Sequence, residues 1–247
     1  MYILAIETTG PFGSAALINE ENEILGHEVS KDTMSHLKDL VPMIQRMLEK
    51  AGIDGKDIDA VACDCGPGSF TGIRIGVSTA RALSQVWKVP AVAVSSLSSA
   101  LLKDSAAEHL RDGSPVITVI LNARRRQVYG FMDGYLEEGP WMIDDVLRIA
   151  KEEIGEKSPI IFYGDGIDSY QKIIEEELNG TGVRYFFSPE EDRYQDAREI
   201  ARMGLKLYNE GKAVRHQDLL PNYMREAEAE QKLRAGELPI SRLPRQE

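Results

Sequence analysis

Residues 61–87, VACDCGPGSFTGIRIGVSTARALSQVW, constrain the fold of this chain more than any other stretch. Val61 to Cys65 is a short apolar run of buried-strand type, and Gly66, Pro67 and Gly68 end it with a sharp turn. Ser69 and Thr71 offer hydroxyls to the free N–H groups of the next helix. A strand, a glycine loop and a helix N-terminus in succession form a place that favours anions, by about 0.3–1 kcal/mol, so a phosphate site is the first functional reading. The familiar phosphate motifs are nevertheless absent. A P-loop places Lys and then Ser or Thr after its last glycine, whereas Gly72 is followed by Ile73 and Arg74. The dinucleotide fingerprint needs a glycine where Thr71 stands.

The helix carries a second signal, because Gly72, Gly76 and Ala80 recur every four residues and leave one face almost without side chains. Glycine within a helix costs about 1 kcal/mol relative to alanine, so that face predicts close packing, either against a strand of the same fold or against another helix across an interface. Ile73, Ile75, Val77, Leu83 and Val86 make the remaining faces apolar, more than one core-facing stripe requires.

The stretch GPGSFTGIRIGVSTARAL closely resembles the signature of the TsaB (YeaZ) family, bacterial proteins of the threonylcarbamoyladenosine pathway of tRNA modification. MYILAIETTG at the start, LNARRRQVYG in the middle and PNYMR late in the chain support the resemblance, which runs through Arg225. It implies an α/β protein with the two-lobed actin-like (ASKHA, ribonuclease H-like) fold, mixed sheets flanked by helices. The expected organisation is a first lobe over 1–111, a second, reduced lobe over 112–225 whose last helix returns to the first, and a polar C-terminal extension over 226–247.

Other segments fit this frame. YILAIET, SAALIN and EILGHEVS read as a three-stranded meander. Residues 35–51 predict a helix with Leu37, Leu40, Val41, Ile44, Met47, Leu48 and Ala51 on its core stripe and Gly52 as its stop. Met43 lies off that stripe and either extends, with Ile44 and Met47, an apolar edge towards a partner or is a lone surface methionine. VPAVAVS is a further strand and residues 96–110 a further helix. Asp112, Gly113 and Ser114 mark the lobe boundary. VITVILNA and RQVYGFMDG predict a hairpin joined through Arg124, Arg125 and Arg126, the densest positive cluster of the chain, whose role is a solvated turn or a grip on a phosphate or an acidic patch. A short acidic helix is predicted within 140–155, a strand at IIFYG, and helices over 169–178 and 196–209.

The family resemblance also assigns a candidate site. In the actin-like fold a carboxylate closes the first strand, and the next turn's hydroxyls and amides surround nucleotide phosphate; Glu7, Thr8 and Thr9 take those places, with the glycine turn at Gly164 and Asp165 facing them across the lobes. The family more often has Asp where Glu7 stands, and one extra methylene displaces any carboxylate that positions magnesium. The catalytic sister TsaD carries an HxxxH metal motif where Ser96 and Ala100 stand here, and a hydroxyl and a methyl group offer no substitute for two imidazoles. Family members also usually have Asp at the position of Asn122 and often Glu at that of Gln127.

The expected function is therefore a non-catalytic, metal-free subunit that binds a TsaD-like catalytic subunit alongside a TsaE-like ATPase, or itself as a homodimer when TsaD is absent. The expected partner surface is Met43, Met47, Gly72, Ile73, Gly76 and Ala80. No cofactor is required by the chain alone, and ATP or ADP is expected at the partner interface. The net charge of −11, from 29 basic and 40 acidic residues, opposes unaided binding of a polyanion, so tRNA is expected only through the complex. The chain opens directly on a strand and has no apolar run approaching a membrane span, which predicts a cytoplasmic protein; Cys63 and Cys65 read as buried reduced thiols. Two rival readings remain. One is an independent actin-fold ATPase or small-molecule kinase with Glu7, Asp64 or Asp165 as its acid. The other is a peptidase, for which no HExxH, nucleophile elbow or Ser/His/Asp set is present.

Overall fold

A computed structural model describes residues 1–32, 36–103 and 115–225 of the chain. Two five-stranded sheets are built to one plan. In the first, β1 (Tyr2–Glu7), β2 (Ser14–Asn19) and β3 (Ile24–Val29) form an antiparallel meander, and β4 (Ala60–Asp64) and β5 (Ala91–Val94) add on in parallel beside β1, giving the order β3-β2-β1-β4-β5. In the second, β6 (Val116–Asn122), β7 (Gln127–Met132) and β8 (Leu136–Met142) repeat the meander, while β9 (Ile160–Tyr163) and β10 (Tyr185–Phe187) repeat the parallel pair, giving β10-β9-β6-β7-β8. This duplicated 3-2-1-4-5 order is the actin-like plan, and mixed sheets flanked by helices match the α/β expectation.

Helices cover the sheets in a crossed pattern. On the first sheet, α1 (His36–Ala51) and α2 (Phe70–Trp87) bury Leu40, Met43, Ile44, Met47, Ile73, Val77 and Ala80 against Leu4, Ile6, Leu17 and Val61. The opposite face of that sheet, with Ile3, Ala5, Ala62 and Val92, is covered by α6 (Ala197–Asn209), a helix that comes after the last strand of the second lobe. The second sheet is covered on one face by α4 (Ile143–Ile149) and α5 (Gly166–Leu178). Its other face receives α3 (Ser96–Ser99), which comes after the last strand of the first lobe: Leu97 and Ala100 pack on Val119, Leu121, Ile161 and Tyr163. Each lobe thus lends the other one helix, so each sheet carries helices on both faces.

Several sequence readings shift. The core stripe of α1 is Leu40, Met43, Ile44, Met47 and Leu48, all buried, while Val41 is 55% exposed. Met43 completes the i, i+3, i+4, i+7 set that Val41 interrupts. The short acidic helix expected within 140–155 is α4, Ile143–Ile149, with Asp144 and Asp145 in its first turn; Pro140 before it lies in β8 opposite Tyr129, an edge strand where a missing N–H is tolerated. The start of α1 at residue 35, residues 104–110 of the expected helix after β5, the boundary at Asp112 to Ser114, and the extension over 226–247 lie outside the described residues. No helix among the described residues is long and apolar enough to cross a membrane.

Candidate functional site

The ends of β1 and β4 lie side by side, and each carries a fully buried acid. Glu7 closes β1, and its Oε1 accepts hydrogen bonds from Thr9 N at 2.5 Å, Thr9 Oγ1 at 2.8 Å and Gly10 N at 2.9 Å. Asp64 closes β4, and its Oδ1 accepts from Ser96 Oγ at 2.6 Å and Gly66 N at 2.8 Å. Thr9 Oγ1 also lies 3.1 Å from Asp64 Oδ2, so one hydroxyl proton stands between the two carboxyls. Burial, then the nearby Asp64, pushes Glu7 up from 4.5 to about 8. Burial likewise pushes Asp64 from 3.8 to about 6, against the opposing pull of Ser96 and the Gly66 amide. Glu7 Oε2 has no hydrogen-bond partner among the described residues.

This geometry changes the meaning of the first turn. The amides of Thr9 and Gly10 are those that the actin-like resemblance assigns to nucleotide phosphate, yet here they point at the carboxylate of Glu7. The Glu7 side chain folds back so that its own Oε1 takes both amides. Thr8 is occupied as well, because its Oγ1 donates to Gly72 O at 2.7 Å.

The glycine face of α2 looks inward at this same turn. A Cβ built on Gly72 would overlap Thr8 O, and one on Gly76 would lie 2.5 Å from Thr8 Oγ1. Gly72, Ile73, Gly76 and Ala80 are buried, as are Met43 and Met47. The expected partner surface is corrected accordingly: all six residues belong to the interior of the first lobe, where the glycines let α2 and the β1 turn approach to backbone contact. The same helices present other residues outward, among them Val41 and Val86, which are 55% and 73% exposed.

Across the lobes, Ser96, Ala100, Lys103, Val119, Leu121, Gly164, Gln195 and Glu199 wall a crevice of about 10 Å³, room for roughly one water. Of the two second-lobe candidates, Gly164 reaches this crevice, whereas Asp165 turns back into its own lobe and accepts from Asn122 N at 2.8 Å. Burial raises Asp165 from 3.8 to about 6. The structure therefore joins Glu7 and Thr9 to Asp64 and Ser96 but does not join them to Asp165. Ala100 packs its methyl group on the second sheet, and among the described residues no group of three or more His, Cys, Asp or Glu is placed to hold a metal ion. Cys63 and Cys65 are buried and free.

A clasp that the sequence did not reveal closes the lobes. Glu138 of β8 accepts from Ser95 Oγ at 2.8 Å and from Ser98 Oγ, the hydroxyls that open α3. The only hint in the sequence is a serine run after a buried strand; the carboxylate that answers it comes from a strand some forty residues on.

The hairpin between β6 and β7 turns through Arg124, Arg125 and Arg126, all exposed, with φ of 64°, 53° and 62°. Residues with a Cβ cost roughly 1–2 kcal/mol each in the left-handed region, so this turn is strained as a unit. Arg126 is held by a two-pronged contact to Asp144, at 2.6 and 3.2 Å.

Comparison with known proteins agrees with this architecture. Residues 23–232 match the family described as TsaD: tRNA N6-adenosine threonylcarbamoyltransferase. The tRNA threonylcarbamoyladenosine biosynthesis protein TsaB of Bacillus subtilis (strain 168) is 29% identical over 240 residues, covering 94% of this chain and 97% of that protein. Its namesake from Escherichia coli (strain K12) is 31% identical over 154 residues, 62% of this chain and 64% of that protein. The solved structure of YeaZ from Pseudomonas aeruginosa shares the fold, with a TM-score of 0.68, 23% identity, and coverage of 90% of this chain and 99% of that one. With a family match across most of its length, relatives of this kind and a duplicated actin-like plan, the chain belongs to the TsaD family of threonylcarbamoyladenosine proteins, within its TsaB (YeaZ) group.

Proposed function

We propose that this chain is a non-catalytic subunit of a tRNA-modifying assembly, in which a TsaD-like partner transfers the threonylcarbamoyl group to adenosine beside the anticodon and a TsaE-like ATPase supplies turnover. The observation that carries the reading is the self-filled turn at β1, where Glu7 occupies the amides of Thr9 and Gly10. With the Glu7 carboxyl buried on those amides, neither amide is offered to an ATP phosphate. Ser96 adds support, since its hydroxyl is engaged with Asp64 and Ala100 has no ligand atom. The net charge of −11 supports tRNA contact only in company with other chains.

The docking surface for the TsaD-like partner, and for a second copy of this chain in its absence, is then the outward side of α1 and α2. Val41 and Val86 supply exposed apolar area there, with the helices fixed behind them by the buried glycine contact. Purified chain, TsaD homologue and TsaE homologue test the reading together. Threonylcarbamoylation of tRNA is expected only when this chain is present, with a stable complex by sedimentation. Modification at full rate without it, or ATP turnover and tRNA modification by this chain alone, would refute the proposal.

A further inference from the structure

The arginine turn of the second lobe is left unused by the acid pair, the crevice and the outward helices. Its backbone is fixed from several sides. Asn122 Oδ1 accepts from Arg124 N at 2.8 Å, Gln127 N donates to Arg124 O at 3.0 Å, and Ile143 N donates to Arg126 O at 2.9 Å. Arg225, from the late PNYMR segment, donates through Nη1 to Ala123 O at 2.6 Å. A run whose backbone is held this firmly fixes where each side chain leaves the turn, so little backbone ordering remains to be done on binding.

The charges are not equivalent. Arg126 is paired with Asp144, whereas the Arg124 guanidinium has no ion pair or hydrogen bond among the described residues; only its backbone N–H and C=O are engaged. Arginines that anchor protein–protein contacts sit within apolar surroundings that exclude water. Here the flanking residues are Asn122, exposed, and Gln127, half-buried. A guanidinium fork at an open, polar hairpin tip matches a phosphodiester oxygen, which is met at the solvent boundary and tolerates it.

We infer that the Arg124 turn contacts the phosphate backbone of the tRNA bound by the assembly, an inference that rests on the subunit reading above. The turn is a local cationic point on an acidic chain, and it acts when other chains have brought the RNA close.

The test uses the reconstituted complex with its TsaD and TsaE homologues and an unmodified tRNA transcript carrying adenosine beside the anticodon. Arg124→Glu is expected to weaken tRNA binding about tenfold and to lower the slope of log K against log salt by roughly 1, with Arg124→Lys close to wild type. Complex size and thermal midpoint are expected to stay unchanged. Unaltered tRNA affinity and salt slope in a complex that assembles and modifies tRNA would overturn this inference alone. Loss of assembly by Arg124→Glu would overturn it by assigning the turn to a protein contact. Failure of the wild-type chain to assemble at all would overturn the subunit reading and this inference with it.

Discussion

The two lobes contain the same hairpin twice, between their first and second strands, and use it in opposite ways. In the first lobe β1 ends at Glu7, whose carboxylate accepts the N–H two residues on; in the second β6 ends at Asn122, whose amide oxygen does the same for Arg124. The local device is shared. The turn residues beyond it differ: Thr8 to Gly10 are small or hydroxylated and lie buried, Thr8 against α2, whereas Arg124 to Arg126 are charged and stand in solvent. The shared topology determines where each turn stands and how its first amide is satisfied, while side-chain size and charge decide whether it becomes interior or surface.

The largest effect should come from breaking the contact that makes the first turn interior. Gly72→Ala places a Cβ where Thr8 O now lies, so backbone must move. We expect a loss of about 3 kcal/mol or more and a thermal midpoint lower by roughly 6–12 °C, read by circular dichroism. A midpoint within a degree of wild type would mean that the close approach is not required.

Next comes the acid pair. Glu7 and Asp64 have folded-state values above their ordinary 4.5 and 3.8, so the folded chain holds protons that the unfolded chain releases. The stability they confer is complete below about pH 4 and is lost as pH rises through about 6 and then about 8. Denaturant titrations should show wild-type stability falling across that window by on the order of a few kcal/mol, with Glu7→Gln nearly flat over its upper part. A wild-type profile that rises from pH 5 to 8 would contradict the buried proton.

The smallest effect belongs to the exposed turn. Arg124→Gly relieves one left-handed residue, φ 64°, and should stabilise the protein by about 0.5–1 kcal/mol. Destabilisation would indicate that the side chain holds the hairpin together.

The sequence revealed much of this frame because its signals were local. The apolar run ending in Gly66 and Gly68, the meander and the periodicity of α1 are readable within a window of a few residues. The edge strand β8 was hidden by Gly139 and Pro140, and β10 is only three residues long. The glycine face of α2 was visible, but four-residue spacing cannot say whether a strand of the same lobe or a foreign helix comes close; the partner proved to be Thr8. Asp64 stood out as an acid between two cysteines in an apolar strand, yet its pairing with Glu7 and Ser96 joins residues 57 and 32 positions apart in sequence. The Glu138 clasp depended on a strand that had not been recognised.

Whether the Glu7 carboxyl keeps nucleotide phosphate from the first turn is read by calorimetric titration of the isolated protein with ATP and magnesium, monitored in parallel through the amide resonances of Thr9 and Gly10. With Glu7 on both amides, no binding heat is expected at millimolar nucleotide and neither amide should move. Saturable binding in the micromolar range, with both amides shifting as the site fills, would contradict it.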